Sequence, residues 1–110
     1  ARRGKVASVA EIQAGDVEGA VAAGAFLLDV RRAAELAETG RIPGAHNIAH
    51  TRLLDRIGEV PKGKPVVVYC RTGRRSAYAA GLLDRLGYRA TSVAGGIESW
   101  TARGGAVVTA

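Results

Sequence analysis

Two short stretches that are apolar almost without a break, FLLDV at 26–30 and PVVVYC at 65–70, most constrain what this chain can fold into. A strand with one face in water alternates apolar and polar residues, because successive side chains point to opposite faces. Nearly continuous runs suit strands covered on both faces, as in a parallel sheet flanked by helices. KVASV (5–9), HNIAH (46–50) and ATSVA (90–94) are further strand candidates. Between them, VAEIQAGDVEGAVAAGA predicts a short helix and then a second one around 17–23, and helical patterns at 32–37, 51–57, 75–86 and 97–103 complete the set. In the helix at 75–86, Ala79, Leu82, Leu83 and Leu86 form one apolar stripe, with Gly87 just beyond it as a cap. The turn signals IPGA, VPKGKP and AGG fall where elements change. There is no internal repeat, low-complexity segment or linker. The alternation implies an α/β domain with a mainly parallel sheet of about five strands and helices on both faces. A length of 110 residues fits one domain, 1–110, better than two.

Composition narrows the function classes. Sixteen Lys and Arg against ten Asp and Glu leave a net charge of +6, which suits an anionic ligand, nucleic acid or an anionic membrane. The basic residues are dispersed, except at Arg2–Arg3 and around 71–75. One Phe, three Tyr and one Trp are too few for a base-stacking platform, so nucleic acid is not the expected partner. The longest apolar stretch, Ala20 to Leu28, falls short of the roughly 20 residues that span a bilayer, so no membrane partner is expected. The segment ARRGKVASVAEIQ is basic but lacks the apolar core of a secretory signal. A single cysteine forms no internal disulfide, which favours a reducing, cytoplasmic setting. The chain begins with Ala rather than Met, so a processed form or a piece of a longer protein is expected.

That one cysteine, Cys70, ends an apolar run and is followed by RTGRRS. Ligands of open α/β sheets collect at the carboxyl ends of the strands, where loops run into helix N-termini. A tight turn at Gly73 would aim backbone N–H groups at one point, forming an anion nest. The nest, the helix N-terminus and Arg71, Arg74 and Arg75 would all favour thiolate, the nucleophilic form. A buried, inert thiol is the competing reading. Cysteine-dependent phosphatases place an arginine six positions after the nucleophile. Here that position is Ser76, and the nearest arginine, Arg75, stands five after it. A ring one residue shorter suits a smaller guest, such as one sulfur atom bonded to the cysteine, whose charge the backbone donors would stabilise as an oxyanion hole does.

The chain resembles the single-domain rhodaneses, a family of sulfurtransferases, over essentially its whole length. FLLDVRRAAELAETGRIPGAHNI is similar to the family's first signature, PVVVYCRTGRRSAYAAGLLDRLGY to its active-site strand, loop and helix, and VAGGIESWTARGGAVV to its closing G-G-x-x-x-W segment. It also resembles rhodanese modules fused to metallo-β-lactamase-like persulfide dioxygenases, so a fused or interacting persulfide-handling domain is an expected partner. The resemblance implies ping-pong transfer without a cofactor. Cys70 takes the outer sulfur of a small anionic donor, thiosulfate or glutathione persulfide, and a thiol, sulfite or cyanide accepts it from the persulfide.

The resemblance also assigns residues. Arg71 contacts the anionic end of the donor. Thr72 stands where thiosulfate enzymes often carry Lys, which leaves the donor open. Gly73 serves conformation, and family spacing favours Arg75 over Arg74 as the inward-facing arginine. Ser76 offers a hydroxyl to the persulfide, or caps the helix. Asp29 has a structural role beside the loop. Arg31 and Glu35 are spaced as an exposed i, i+4 ion pair, or brace the site. His46 and His50 lack the companions a metal site needs, so no metal is expected, and Trp100 reads as core. Two other readings remain: a non-catalytic rhodanese-like binding or delivery module, and a phosphatase or arsenate reductase on the same fold.

Overall fold

The computed structural model describes residues 9–109. Its elements are β1 (Glu11–Ile12), a 3-10 turn at Ala14–Asp16 leading into α1 (Val17–Ala22), β2 (Phe26–Asp29), α2 (Ala33–Thr39) and β3 (His46–Asn47). Two 3-10 turns at His50–Arg52 and Ile57–Glu59 follow, then β4 (Val66–Tyr69), α3 (Arg74–Arg85), β5 (Ala90–Val93) and α4 (Gly96–Ala102). All five strands are parallel, in the order β1-β5-β4-β2-β3. The apolar runs form two of the three interior strands, β2 and β4, paired Phe26 to Val66 through Asp29 to Tyr69.

Alternation along these strands feeds two cores, one on each face. Leu28, Val30, Val66, Val68 and Cys70 pack with Ala79, Ala80 and Leu83 of α3. Leu27, Val67, Tyr69 and Val93 pack with Val17 of α1 and with Ile97 and Trp100 of α4. Trp100 is therefore core, and its indole N–H donates to the Ala106 carbonyl at 2.7 Å.

The strand expected at 5–9 lies outside the described residues except for Val9, and among the described residues the strand at that edge of the sheet is Glu11–Ile12. Two other expectations are corrected. The helix at 51–57 does not form. Its backbone closes tighter turns, such as Arg56 N–H to Leu53 O at 3.2 Å and Ile57 N–H to Leu54 O at 3.4 Å, and only Leu53 is fully buried while Leu54 stands in solvent. HNIAH contributes only His46 and Asn47 to a strand, because the chain turns at His50. The cap of α3 fits the sequence: Gly87 has φ 93°, Tyr88 N–H reaches Leu83 O, and Gly87 N–H reaches Asp84 O, both at 3.0 Å. The apolar stripe, however, fades at Leu86, which is 38% exposed.

Candidate active site

The chain leaves β2 toward β3 on one side of the sheet and leaves β4 toward β5 on the other. The carboxyl ends of β2 and β4 therefore meet at a topological switch point, where open α/β sheets bind their ligands. Asp29 ends one strand and Cys70 immediately follows the other.

Cys70 is buried, at 1% exposure, and its Sγ receives donors from the loop that follows. Gly73 N–H lies 3.1 Å from Sγ and Ser76 N–H 3.4 Å, while the Ser76 hydroxyl is 3.5 Å away. Gly73 is the N-cap of α3, with φ 112°, so the positive end of the helix faces the sulfur. Burial works against ionisation. The Ser76 hydroxyl and the N–H groups of Ser76, Gly73 and Thr72 nevertheless hold the thiol below its ordinary value. Ser76 is not the helix cap, since it sits two residues inside α3; its hydroxyl serves the sulfur and Ser92 Oγ, 2.8 Å away.

The three arginines part company. Arg71 is exposed and meets Glu98 at 3.3 Å. Arg74 is exposed and makes no ion pair among the described residues. Arg75 is half-buried and gives Nη1 and Nη2 to the two oxygens of Glu35 at 2.6 and 2.8 Å. Those bonds hold the Glu35 carboxyl down at about 2, against the opposing effect of burial.

The Rhodanese-like domain model matches residues 9–103. The chain belongs to the rhodanese-like family. It is 40% identical over 80 residues to a sulfurtransferase of Allochromatium vinosum, covering 72% of this chain and 74% of that one. A rhodanese-related protein from Thermoplasma volcanium superposes with TM-score 0.85 at 35% identity, over 92% of this chain and 99% of the other. The reduced CoADR-RHD of Bacillus anthracis aligns with TM-score 0.80 at 36% identity over 84% of this chain, which spans only 16% of that protein.

Within this rhodanese-like fold the supports of the loop differ from what spacing suggests. Arg31 does not pair with Glu35. It is 1% exposed and turns back on Asp29, with Nη2 to Oδ2 at 2.7 Å, while Nη1 reaches Thr39 Oγ1 and Nη2 also reaches Gly40 O, both at 2.8 Å. An exposed i, i+4 pair would have left Asp29 buried without a counter-charge, and that is what the observed pairing avoids. Asp29 is thus matched by Arg31 and by no basic residue of the cysteine loop. Glu35 crosses instead to Arg75, tying α2 to α3.

Two residues of the site escaped the sequence reading. Gly96 (φ 57°) lets the start of α4 press against the loop, and a Cβ there would strike the carbonyl oxygens of Cys70 and Arg71. Those carbonyls accept from Ile97 N–H at 2.9 Å and Glu98 N–H at 3.2 Å, an anchorage that leaves the loop's own N–H groups to the sulfur. The doublet Gly95–Gly96 was its visible signal. Ser92, fully buried on β5, had none. The histidines lie apart from the sulfur's contacts: His46 Nε2 meets Glu59 at 2.7 Å, and the buried Nδ1 of His50 has no partner among the described residues. No cluster of three His, Cys, Asp or Glu that could hold a metal occurs among those residues, and no described helix is long and apolar enough to cross a membrane.

Proposed function

We propose that this chain is a sulfurtransferase that carries one sulfane sulfur on Cys70, taking it from thiosulfate or glutathione persulfide and passing it to cyanide, sulfite or a thiol. The observation that carries this reading is the convergence of loop N–H groups and the Ser76 hydroxyl on a buried sulfur. A thiolate is favoured there before reaction, and an anionic persulfide after it. Thiolate Sγ attacks the outer sulfur of the donor, whose S–S bond breaks with its electron pair leaving on sulfite or on the donor thiol. The acceptor then attacks that sulfur, and the pair of the Sγ–S bond returns to Sγ. Arg71 meets the anionic end of the donor, since its contact with Glu98 is exposed and readily exchanged. Thr72 leaves the choice of donor open. A phosphate guest is disfavoured because Arg75 already spends both Nη groups on Glu35. The unit is proposed to act as a single domain, free or joined to one that generates persulfide.

The test is steady-state transfer from each donor to cyanide, beside hydrolysis of a phenyl phosphate. Transfer with at least one donor and no hydrolysis is expected; hydrolysis without transfer contradicts the reading. Arg71→Ala should reduce kcat/KM for the donor about tenfold or more, and Arg74→Ala by less. Equal losses would mean that the donor-facing arginine is misassigned.

A further inference from the structure

Two serine hydroxyls are fully buried behind the cysteine loop, and only one of them touches the sulfur. Ser76 Oγ of α3 lies 3.5 Å from Cys70 Sγ on one side and 2.8 Å from Ser92 Oγ of β5 on the other. The three side chains form a line that runs from the sheet to the nucleophile. Ser92 is held in place by the strand, since its N–H donates to Ala10 O at 2.9 Å and it pairs with Val68 of β4. Its neighbours on that face, Val68 and Ala90, belong to the apolar core beneath α3. Among the described residues, Ser92 Oγ therefore has Ser76 Oγ as its one hydrogen-bond partner.

Counting protons decides which way this line runs. Each hydroxyl has one proton to donate and lone pairs to accept with. In one arrangement Ser92 donates to Ser76, and the Ser76 proton is then aimed at Sγ. In the other, Ser76 donates to Ser92, whose own proton is left buried with no acceptor. The second arrangement strands a buried donor, which is the costlier state. The first pairs both protons and presents a donor to the sulfur, as an anionic sulfur requires. A hydroxyl that accepts one hydrogen bond also donates its own more strongly, because neighbouring bonds polarise each other in a low-dielectric interior.

We propose that Ser92 is a positioning residue for Cys70: its O–H, donated to Ser76 Oγ, turns the Ser76 O–H onto Sγ and favours the sulfur as an anion. Ser92 acts through Ser76 and touches neither the sulfur nor a substrate. The role precedes any donor, so it does not depend on whether Cys70 goes on to transfer sulfur. The charged and titratable groups around the thiol lie elsewhere. Arg71, Arg74 and Arg75 belong to the loop and α3, with Glu98 of α4 on Arg71 and Glu35 of α2 on Arg75. Asp29 and Arg31 pair at the end of β2, and His50 stands in the turn beside Arg74 and Arg75. The strand that carries Ser92, ATSV, has no charged residue. None of these groups bonds the Ser76 or Ser92 hydroxyl among the described residues, so a change at Ser92 reaches the sulfur through Ser76.

The test is the pH midpoint of Cys70 alkylation by iodoacetamide in the wild type, Ser92→Ala, Ser76→Ala and the double variant. Cys70 is the only cysteine of the chain, so the reaction reports on this sulfur alone. Ser92→Ala should raise the midpoint by about 0.3 pH units or more, and Ser76→Ala by more than that. In the Ser76→Ala background, Ser92→Ala should add nothing, because the hydroxyl it acts through is gone. Ser92→Thr keeps a hydroxyl on the strand and should hold the wild-type midpoint. Urea unfolding of each variant shows that folded protein is being read. A role confined to packing would lower the urea midpoint and leave the alkylation midpoint in place. An unmoved alkylation midpoint in Ser92→Ala, the same shift in the Ser76→Ala background, or a Ser92→Thr protein that behaves as Ser92→Ala does would overturn the proposal.

Discussion

Ser76 places both its N–H and its hydroxyl near the sulfur of Cys70, and its hydroxyl also meets Ser92 Oγ inside the core. Ser76→Ala should therefore have two effects. The thiol loses the hydroxyl among the groups that hold it low, so the pH midpoint of alkylation by iodoacetamide should move up. In the wild-type protein that midpoint should lie below the ordinary thiol value, because thiolate forms at lower pH wherever donors favour it. Ser92 also loses the hydrogen-bond partner of its hydroxyl, which should lower stability by about 1–2 kcal/mol in urea unfolding. An unmoved midpoint would show that the backbone donors alone tune the sulfur. Gly96→Ala is the harsher change. Left-handed backbone alone costs about 1–2 kcal/mol for a residue with a Cβ, and the clash with the Cys70 and Arg71 carbonyls adds to it. A loss of at least about 2 kcal/mol, with slower alkylation of Cys70, is expected; a stable variant with unchanged alkylation would remove α4 from the account. Of these residues, Ser76 was legible because it lies at a countable distance from the cysteine. Ser92 was not, because an apolar-flanked serine on a strand carries no mark of the partner brought to it by folding.

At the scale of elements, the Glu35–Arg75 pair joins α2 to α3 across the mouth of the site. Glu35 titrates at about 2 against an ordinary 4.5, so the sign is that of a depressed carboxylate. Its contribution is fully present above the unfolded value and fades as pH falls from about 4.5 toward 2. Glu35→Gln should cost about 1–2 kcal/mol at pH 7, a figure reduced from the full shift because the pair is partly solvated. The difference between the two proteins should shrink over that acid window, as read by urea midpoints at successive pH values; a gap that stays constant down to pH 2 would exclude the ion pair as its source. Sequence spacing pointed to Arg31 as the partner of Glu35. It failed because i, i+4 geometry compares residues on one helix, and Arg31 lies before α2 begins, where its side chain turns onto Asp29. The turns after β3 were misread for a related reason. Leu53, Leu54 and Ile57 have helical spacing, but only Leu53 is drawn fully into the core.

The whole molecule was legible where hydrophobic burial writes directly into sequence. FLLDV and PVVVYC became interior strands because both of their faces are covered, and the cysteine loop followed from the end of one of them. The order β1-β5-β4-β2-β3 was not legible, since apolar runs record burial and not neighbours. That order matters because it brings the ends of β2 and β4 together and lets α4 hold the loop, so that the fold leaves the N–H groups free to face one sulfur. On the proposed function, this arrangement loads Cys70 with a single sulfur atom, and the intact mass of the protein after incubation with thiosulfate and, separately, with glutathione persulfide reads that out. The mass should rise by one sulfur with at least one donor, not in Cys70→Ser, and return with cyanide or a thiol. No gain with either donor, or a gain that persists in Cys70→Ser, would overturn the proposed function.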